Sequence, residues 1–163
     1  MAIERILVPL DGSGLAEKAL DKARELADPE RSTLILLRST GSEIIPGLEP
    51  SQVDDAEVRE AEQYLTEVAQ RLARQGLKRV ARSIWFGSAA AAIIEAARLM
   101  QVDLIVMGTH GRSGLGRAIL GSVAESVLRG TTTSLLLVRS PEAPLEARAG
   151  QARPRDEADR TLT

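Results

Sequence analysis

A cluster of glycines and polar residues, between residues 108 and 122, is the part of the sequence best suited to chemistry. Glycine lets backbone N–H groups turn towards an anion and approach it closely. Ser122 adds a hydroxyl, while Arg112 and Arg117 add positive charge. These groups together suit a polyphosphate, although a flexible connection between a strand and a helix explains the glycines alone equally well. Five glycines stand within the fourteen residues 108–121: Gly108, Gly111, Gly114, Gly116 and Gly121.

Two familiar phosphate motifs are present only as near misses. The glycines before Arg117 have the spacing of a P-loop, but Arg117 replaces its lysine and Ala118 replaces its Ser/Thr. Gly12 and Gly14 follow a predicted strand as in a dinucleotide fingerprint, but Glu17 stands where the third glycine should be. We therefore reject both motifs.

Short apolar runs alternate with longer segments of helical period, which predicts the order β-α-β-α-β-α-β-α-β. Continuous apolar strands indicate a parallel sheet with helices on both faces, hence an α/β fold. In such sheets ligands bind beyond the carboxyl ends of the strands, where the strand order reverses. If strands one and four are neighbours, Asp11 and the glycine cluster share that end. The predicted strands are 3–8, 33–37, 80–86, 103–107 and 134–138, and the predicted helices 13–26, 54–74 and 88–100, with a fourth ending near Arg129.

Two segments differ from these elements in composition. Residues 40–53 contain Gly41, Pro46, Gly47 and Pro50, which predicts a mobile loop. The tail is rich in Pro, Ala, Arg and acids, which predicts disorder. We therefore expect one domain over 1–140 and a disordered tail over 141–163.

The composition excludes several classes of function. The chain of 163 residues has a net charge of −2 and only three aromatic residues, which argues against nucleic-acid binding. It has no cysteine and only one histidine, His110, so thiolate sites and multi-histidine metal sites are excluded. No apolar stretch is nearly long enough to span a membrane, and the acidic Glu4 makes the N-terminus a poor signal peptide. We therefore expect a cytoplasmic protein without membrane contact.

A third glycine pattern fits completely. Gly108, Gly111, Gly121 and Ser122 form G-x2-G-x9-G-[ST], so the chain resembles the ATP-binding subgroup of the universal stress protein (UspA-like) family. The opening ILVPLDGS at 6–13, the strand LILL at 34–37 and the end strand LLLVR at 135–139 are similar to that family as well. The resemblance covers residues 2–140 in register.

The resemblance implies a Rossmann-like fold, similar to adenine nucleotide alpha hydrolases, with a five-stranded parallel sheet of order 3-2-1-4-5. It also implies bound ATP, with Mg or Mn held mainly by the phosphates, and a homodimer through the last strand, Leu135–Val138. Asp11 would accept ribose hydroxyls, and Ser39, placed just after strand two, would meet the adenine edge through its backbone. The implied adenine and ribose residues are Pro9, Leu10, Asp11, Ser39, Met107 and Gly108, and the implied phosphate residues are His110, Gly111, Arg112, Gly121, Ser122 and Val123.

The sequence departs from the family pattern at strand two, where Arg38-Ser39 replaces the common His-Val and would weaken the apolar wall beside adenine. Asp11 could instead cap the first helix, and Gly121 with Ser122 could be only a helix start. Trp85 and Phe86 are expected in the core or in an interface.

The expected function is a stress-response module that binds ATP as a homodimer. One alternative is a slow ATPase or an autophosphorylating enzyme, although no motif supplies catalytic residues or a metal cluster. The other alternative is a dimeric interaction protein that does not bind nucleotide. The sequence names neither the stress nor the partner proteins.

Overall fold

The computed structural model describes residues 3–41, 55–109 and 120–139 of the chain. Five strands and four helices alternate along these residues. No helix in them is long and apolar enough to cross a membrane. In chain order the elements are β1 Arg5–Pro9, α1 Gly14–Leu26, β2 Thr33–Thr40, α2 Asp55–Arg74, β3 Val80–Phe86, α3 Ala89–Leu99, β4 Leu104–Gly108, α4 Ser122–Gly130 and β5 Ser134–Val138.

The five strands form one parallel sheet in the order β3-β2-β1-β4-β5. The α/β class, the parallel pairing and the strand order are therefore confirmed. The chain winds outward from β1 to β3 on one side and from β4 to β5 on the other. The strand order consequently reverses between β1 and β4, which places the expected ligand crevice there.

Two apolar clusters cover the two faces of this sheet. On one face, Ile6 and Val8 of β1 pack with Leu20 of α1 and Leu65 of α2. On the other face, Leu7 of β1 packs with residues of α3 and α4. Because alternate residues of a strand point to opposite faces, a strand buried on both faces is apolar throughout. This burial explains the continuous runs in β1, β2 and β4.

The ends of several elements differ from the sequence predictions. β1 begins at Arg5 rather than Ile3, and β2 continues to Thr40, so Ser39 lies inside the strand and Thr40 does not belong to the predicted loop. Residues 42–53 of that loop and the tail beyond Arg139 lie outside the described residues. Leu26, predicted on the apolar stripe of α1, is 43% exposed because the buried stripe continues from Ala23 to Ala27 and leaves Leu26 at its side.

Two glycines and one serine mark these ends as well. Gly76, after α2, has φ +95°, a value that suits its predicted place at a helix end. Gly87 has φ +96° and joins β3 to α3. Ser88 is the N-cap of α3 as predicted, but its side chain makes no capping hydrogen bond.

Candidate functional site

A cavity of about 330 Å³ opens at the carboxyl edge of the sheet, across β2, β1 and β4. It lies where the strand order reverses, which is the usual place for a ligand in an open α/β sheet. The first turns of α1, α3 and α4 reach this edge too, since every crossover helix starts where its strand ends. Residues of all six elements line the cavity.

Every predicted site residue that the structure describes lines this cavity. Their contact with a nucleotide stays a prediction. His110, Gly111 and Arg112 lie outside the described residues. The structure brings together Pro9, Leu10, Asp11, Ser39, Met107, Gly108, Gly121, Ser122 and Val123.

The cavity has further walls that the sequence reasoning missed. Most are apolar residues, whose patterns look the same whether they face a cavity or the core. Leu37 stands two residues before Ser39, and this period of two is the one signal that could have found it. Thr109 differs because it is polar and only 3% exposed. The additional lining residues are Ala16, Leu37, Ala89, Ile93, Thr109 and Ala124.

Asp11 lies directly after β1 and keeps one carboxylate oxygen available. Its Oδ1 accepts a hydrogen bond of 2.9 Å from the Ser13 amide. The N-cap of α1 is Ser13, whose Oγ accepts from the Ala16 amide at 3.2 Å. Within the described residues, Oδ2 of Asp11 accepts no hydrogen bond. Asp11 therefore shapes the turn before α1 without being its N-cap, and it presents a free acceptor at the cavity wall.

The first turn of α4 presents backbone donors to the cavity. The first hydrogen bond of this helix runs from the Glu125 amide to the Gly121 carbonyl, at 2.9 Å. The amides of Ser122, Val123 and Ala124 precede it, and none of them has an acceptor among the described residues. A helix N-terminus carries unsatisfied N–H groups and partial positive charge, which together attract anions. This end of the cavity can bind a phosphate.

A hydrogen bond ties the end of β4 to the start of α4. The Gly121 amide donates to the Thr109 carbonyl at 2.7 Å, and the Thr109 amide donates to the Val138 carbonyl at 2.9 Å. The chain therefore leaves the sheet at Thr109 and returns to the same point at Gly121. We call this Thr109–Gly121 pair the clasp.

Arg38 and Ser39 point to opposite faces of the sheet. The Arg38 guanidinium lies 5.1 Å from the centre of the Tyr64 ring and 3.8 Å from the Glu60 carboxylate. The Tyr64 hydroxyl donates to Glu17 Oε1 at 2.8 Å. Burial, followed by the bond to Glu17, raises the pKa of the Tyr64 phenol. Only Ser39 of the Arg38-Ser39 pair lines the cavity, so Arg38 is not part of its wall.

The described residues hold no group of three or more His, Cys, Asp or Glu side chains placed to bind a metal ion. Asp11 is the one ionisable side chain among the described residues that line the cavity. This part of the chain supplies acceptors for hydroxyls and donors for an anion.

Comparison with known proteins agrees with this architecture. Residues 2–139 match the model of the universal stress protein family. A protein of Staphylococcus haemolyticus that carries the universal stress protein name is 32% identical over 150 residues, 88% of this chain and 89% of that protein.

Two solved structures are similar in fold as well. The universal stress protein UspA from Lactobacillus plantarum superposes with a TM-score of 0.74 at 25% identity, over 85% of this chain and 99% of that one. A universal stress protein in complex with cAMP superposes with a TM-score of 0.66 at 25% identity, over 85% and 98%. The match to the family model extends over all the residues that the structure describes, and the chain belongs to the universal stress protein family.

Proposed function

We propose that this chain binds an adenine nucleotide, ATP in the first place, in the cavity at the carboxyl edge of the sheet. It would act as a nucleotide-dependent module of the stress response. The observation that carries the proposal is the combination, in one cavity, of apolar walls and a helix end whose first three amides have no acceptor among the described residues. An apolar slot suits a base, and such a helix end suits a phosphate.

The base and ribose are assigned to the β1 and β2 side of the cavity. Leu37 of β2 and Leu10 after β1 are buried and give this side an apolar lining. The free oxygen of Asp11 stands beside them and would accept a ribose hydroxyl. Asp11 is held in place by its bond to the Ser13 amide, so little order has to be created on binding.

The phosphates are assigned to the first turn of α4. Gly121, its N-cap, has no side chain, so an anion can approach the amides of Ser122 and Val123 closely. The spacing from Gly108 through Gly111 to Gly121 matches the motif of the ATP-binding subgroup, which assigns His110, Gly111 and Arg112 to the phosphates as well. Mg or Mn would be held mainly by the phosphates themselves.

A relative supports the choice of adenine. The structural neighbour in complex with cAMP shares the fold over most of both chains, and cAMP carries the same base and ribose as ATP. Because cAMP contains a phosphate too, a site for either nucleotide calls for an apolar slot and anion donors. The cavity described here offers both.

The experiment is calorimetric titration of nucleotide-stripped protein with ATP in the presence of magnesium. We expect saturable binding at one site per chain. The matched variant is Gly121→Val, whose side chain would occupy the approach to the α4 amides. Gly121 has φ −72° and ψ 156°, which a valine can adopt, so the fold should persist. No heat at several temperatures and no thermal stabilisation by ATP would refute the proposal and favour a dimeric interaction protein.

We also propose a homodimer through β5. This strand has β4 on one side, and no described strand pairs with its other side. A bare edge with the apolar run Leu135–Val138 invites a second copy. The Val138 carbonyl points towards β4, because it accepts from the Thr109 amide. The amide of Leu137 therefore points to the open edge, where it can donate to the partner.

ATP turnover is expected to be slow. Among the described residues of the cavity, Asp11 is the only carboxylate, and it lies on the side assigned to the ribose rather than beside the α4 amides. Phosphate release should therefore be little faster than in the Gly121→Val variant. Release far above that control would establish the alternative, an ATPase.

A further inference from the structure

Trp85 stands next to the cavity on a strand that does not line it. In the sheet, Trp85 of β3 is the register partner of Ser39 of β2. In-register partners of a parallel pair project to the same face, so the indole stands beside Ser39 on the face covered by α3 and α4. It is partly buried and packs against the cluster that contains Leu37, Ile93 and Met107, all of them cavity residues.

The strand order decides which end of the cavity lies near Trp85. The amides of the first turn of α4, assigned to the phosphates, follow β4, whereas Ser39 belongs to β2 on the far side of β1. Neighbouring strands lie about 5 Å apart, so roughly 10 Å separates β2 from β4. The apolar end of the cavity therefore faces β3, and the indole of Trp85 is the large side chain behind that end.

The indole is fixed in this position. Its Nε1 donates to Ser83 Oγ at 2.8 Å, which satisfies its polar atom inside β3. Only Phe86, Gly87 and Ser88 separate Trp85 from Ala89, the first residue of α3 and itself a cavity residue. The Gly87 amide donates to the Thr40 carbonyl at 2.9 Å and fastens this connection to β2. Trp85 thus lies between two parts of the cavity wall, Ser39 and the start of α3.

We propose that Trp85 is a positioning residue that sets the width of the base end and thereby the preference for one purine over another. This inference rests on the proposed function, since it deepens the assignment of the same site. The small side chain of Ser39 leaves room for a base in the cavity wall. The rigid indole behind Ser39 prevents it from moving away from the base. Removing the indole would leave a void into which Ser39 and Ala89 could move. A wider slot would then accept guanine as well as adenine.

The test compares the dissociation constants of ATP and GTP for the wild type and for Trp85→Ala, by calorimetry on the full chain. Both ligands carry the same ribose and triphosphate, so any effect on the phosphate end or on the folded fraction cancels in the ratio. We expect the ratio of the GTP to the ATP dissociation constant to be about tenfold smaller in the variant. A change of one small group in an apolar pocket produces an effect of this size. Trp85→Phe, which keeps a ring in the same place, should restore most of the ratio.

The matched control is Phe86→Ala. Phe86 is the next residue of the same strand, projects to the opposite face and is 59% exposed. Its removal should leave the ratio unchanged. If Trp85→Ala does not fold, Trp85→Leu, which keeps an apolar group in the cluster, takes its place in the comparison.

The outcomes separate this inference from the function on which it rests. A wild type that binds neither nucleotide refutes the proposed function, and the inference with it. A wild type that binds ATP, together with variants at Trp85 that keep the same ratio of ATP to GTP affinity, refutes the role of Trp85 alone. A narrowed ratio in both Trp85→Ala and Phe86→Ala would equally overturn it, since the effect would then belong to β3 in general.

Discussion

Replacing Ser122 by proline tests the phosphate end of the cavity at a single atom. Ser122 is the first residue of α4, where proline is well tolerated because the amide it removes makes no bond within the helix. The residue before a proline must be extended, and Gly121 has φ −72° and ψ 156°. The substitution therefore deletes one donor at the N-terminus of α4 while the helix itself stays intact.

The size of the effect follows from the kind of bond that is lost. A hydrogen bond to a charged group contributes about 1.5–3 kcal/mol. Since each 1.4 kcal/mol corresponds to a tenfold change in affinity, ATP should bind about 10- to 100-fold more weakly to Ser122→Pro. The thermal stability without nucleotide should change little, because the Ser122 amide has no acceptor among the described residues.

The assay is calorimetric titration with magnesium and ATP, accompanied by a melting curve of each variant. Gly14→Pro is the matched control, because Gly14 is likewise the first residue of its helix, α1, and does not line the cavity. The preceding residue, Ser13, is extended, with φ −79° and ψ 154°, as the residue before a proline must be. It should bind ATP as the wild type does. Ser122→Ala keeps the amide and removes only the hydroxyl, so its loss should be smaller. Unchanged ATP affinity in a folded Ser122→Pro protein would refute the assignment of the phosphates to α4.

Three further changes test other parts of the molecule. Asp11→Asn keeps an oxygen for the Ser13 amide but removes the charge, so ATP affinity should fall about tenfold with unchanged melting, and equal affinity would contradict the ribose contact. Leu137→Pro deletes an amide at the open edge of β5, whereas Leu137→Ala keeps that amide. Sedimentation should therefore show a monomer for Leu137→Pro and a dimer for Leu137→Ala. A dimer in both variants would disprove pairing through β5. In the folded chain the pKa of Tyr64 lies above its ordinary value of about 10, so the folded chain holds the phenol proton more tightly than the unfolded chain does. The free energy of unfolding should therefore fall as the pH rises above about 10. In melting curves measured across this pH range, Tyr64→Phe should not show this loss of stability. An equal loss in both proteins would show that another group causes it.

The sequence predicts the sheet well because burial leaves a direct trace in it. β3 and β5 have the predicted bounds, and β1, β2 and β4 differ only at their ends. Strands buried on both faces must be apolar at every position, and the helices between them carry a polar stripe. The alternation of these two patterns is sufficient to predict a parallel α/β sheet. The family resemblance then supplies the strand order.

The site is predictable only where its chemistry is unusual for a core. Glycine spacing and an acid after a strand mark Gly108, Gly121 and Asp11, because neither feature is needed for packing. Ala89 and Ile93 leave no such mark, since an apolar residue in a helix serves the core and the cavity equally well. The direction of Arg38 is equally hidden. Both faces of β2 are buried, so alternation of polarity does not reveal which residue faces which side.

The clasp between Thr109 and Gly121 has a consequence for how such a protein can change over evolution. This hydrogen bond joins the two residues at which the chain leaves the sheet and returns to it. The entropic cost of lengthening a closed loop grows only slowly with its length. Insertions, deletions and substitutions between residues 110 and 119 should therefore cost the sheet little. A laboratory could graft a different ligand-binding segment there and keep the remainder of the molecule as an unchanged scaffold.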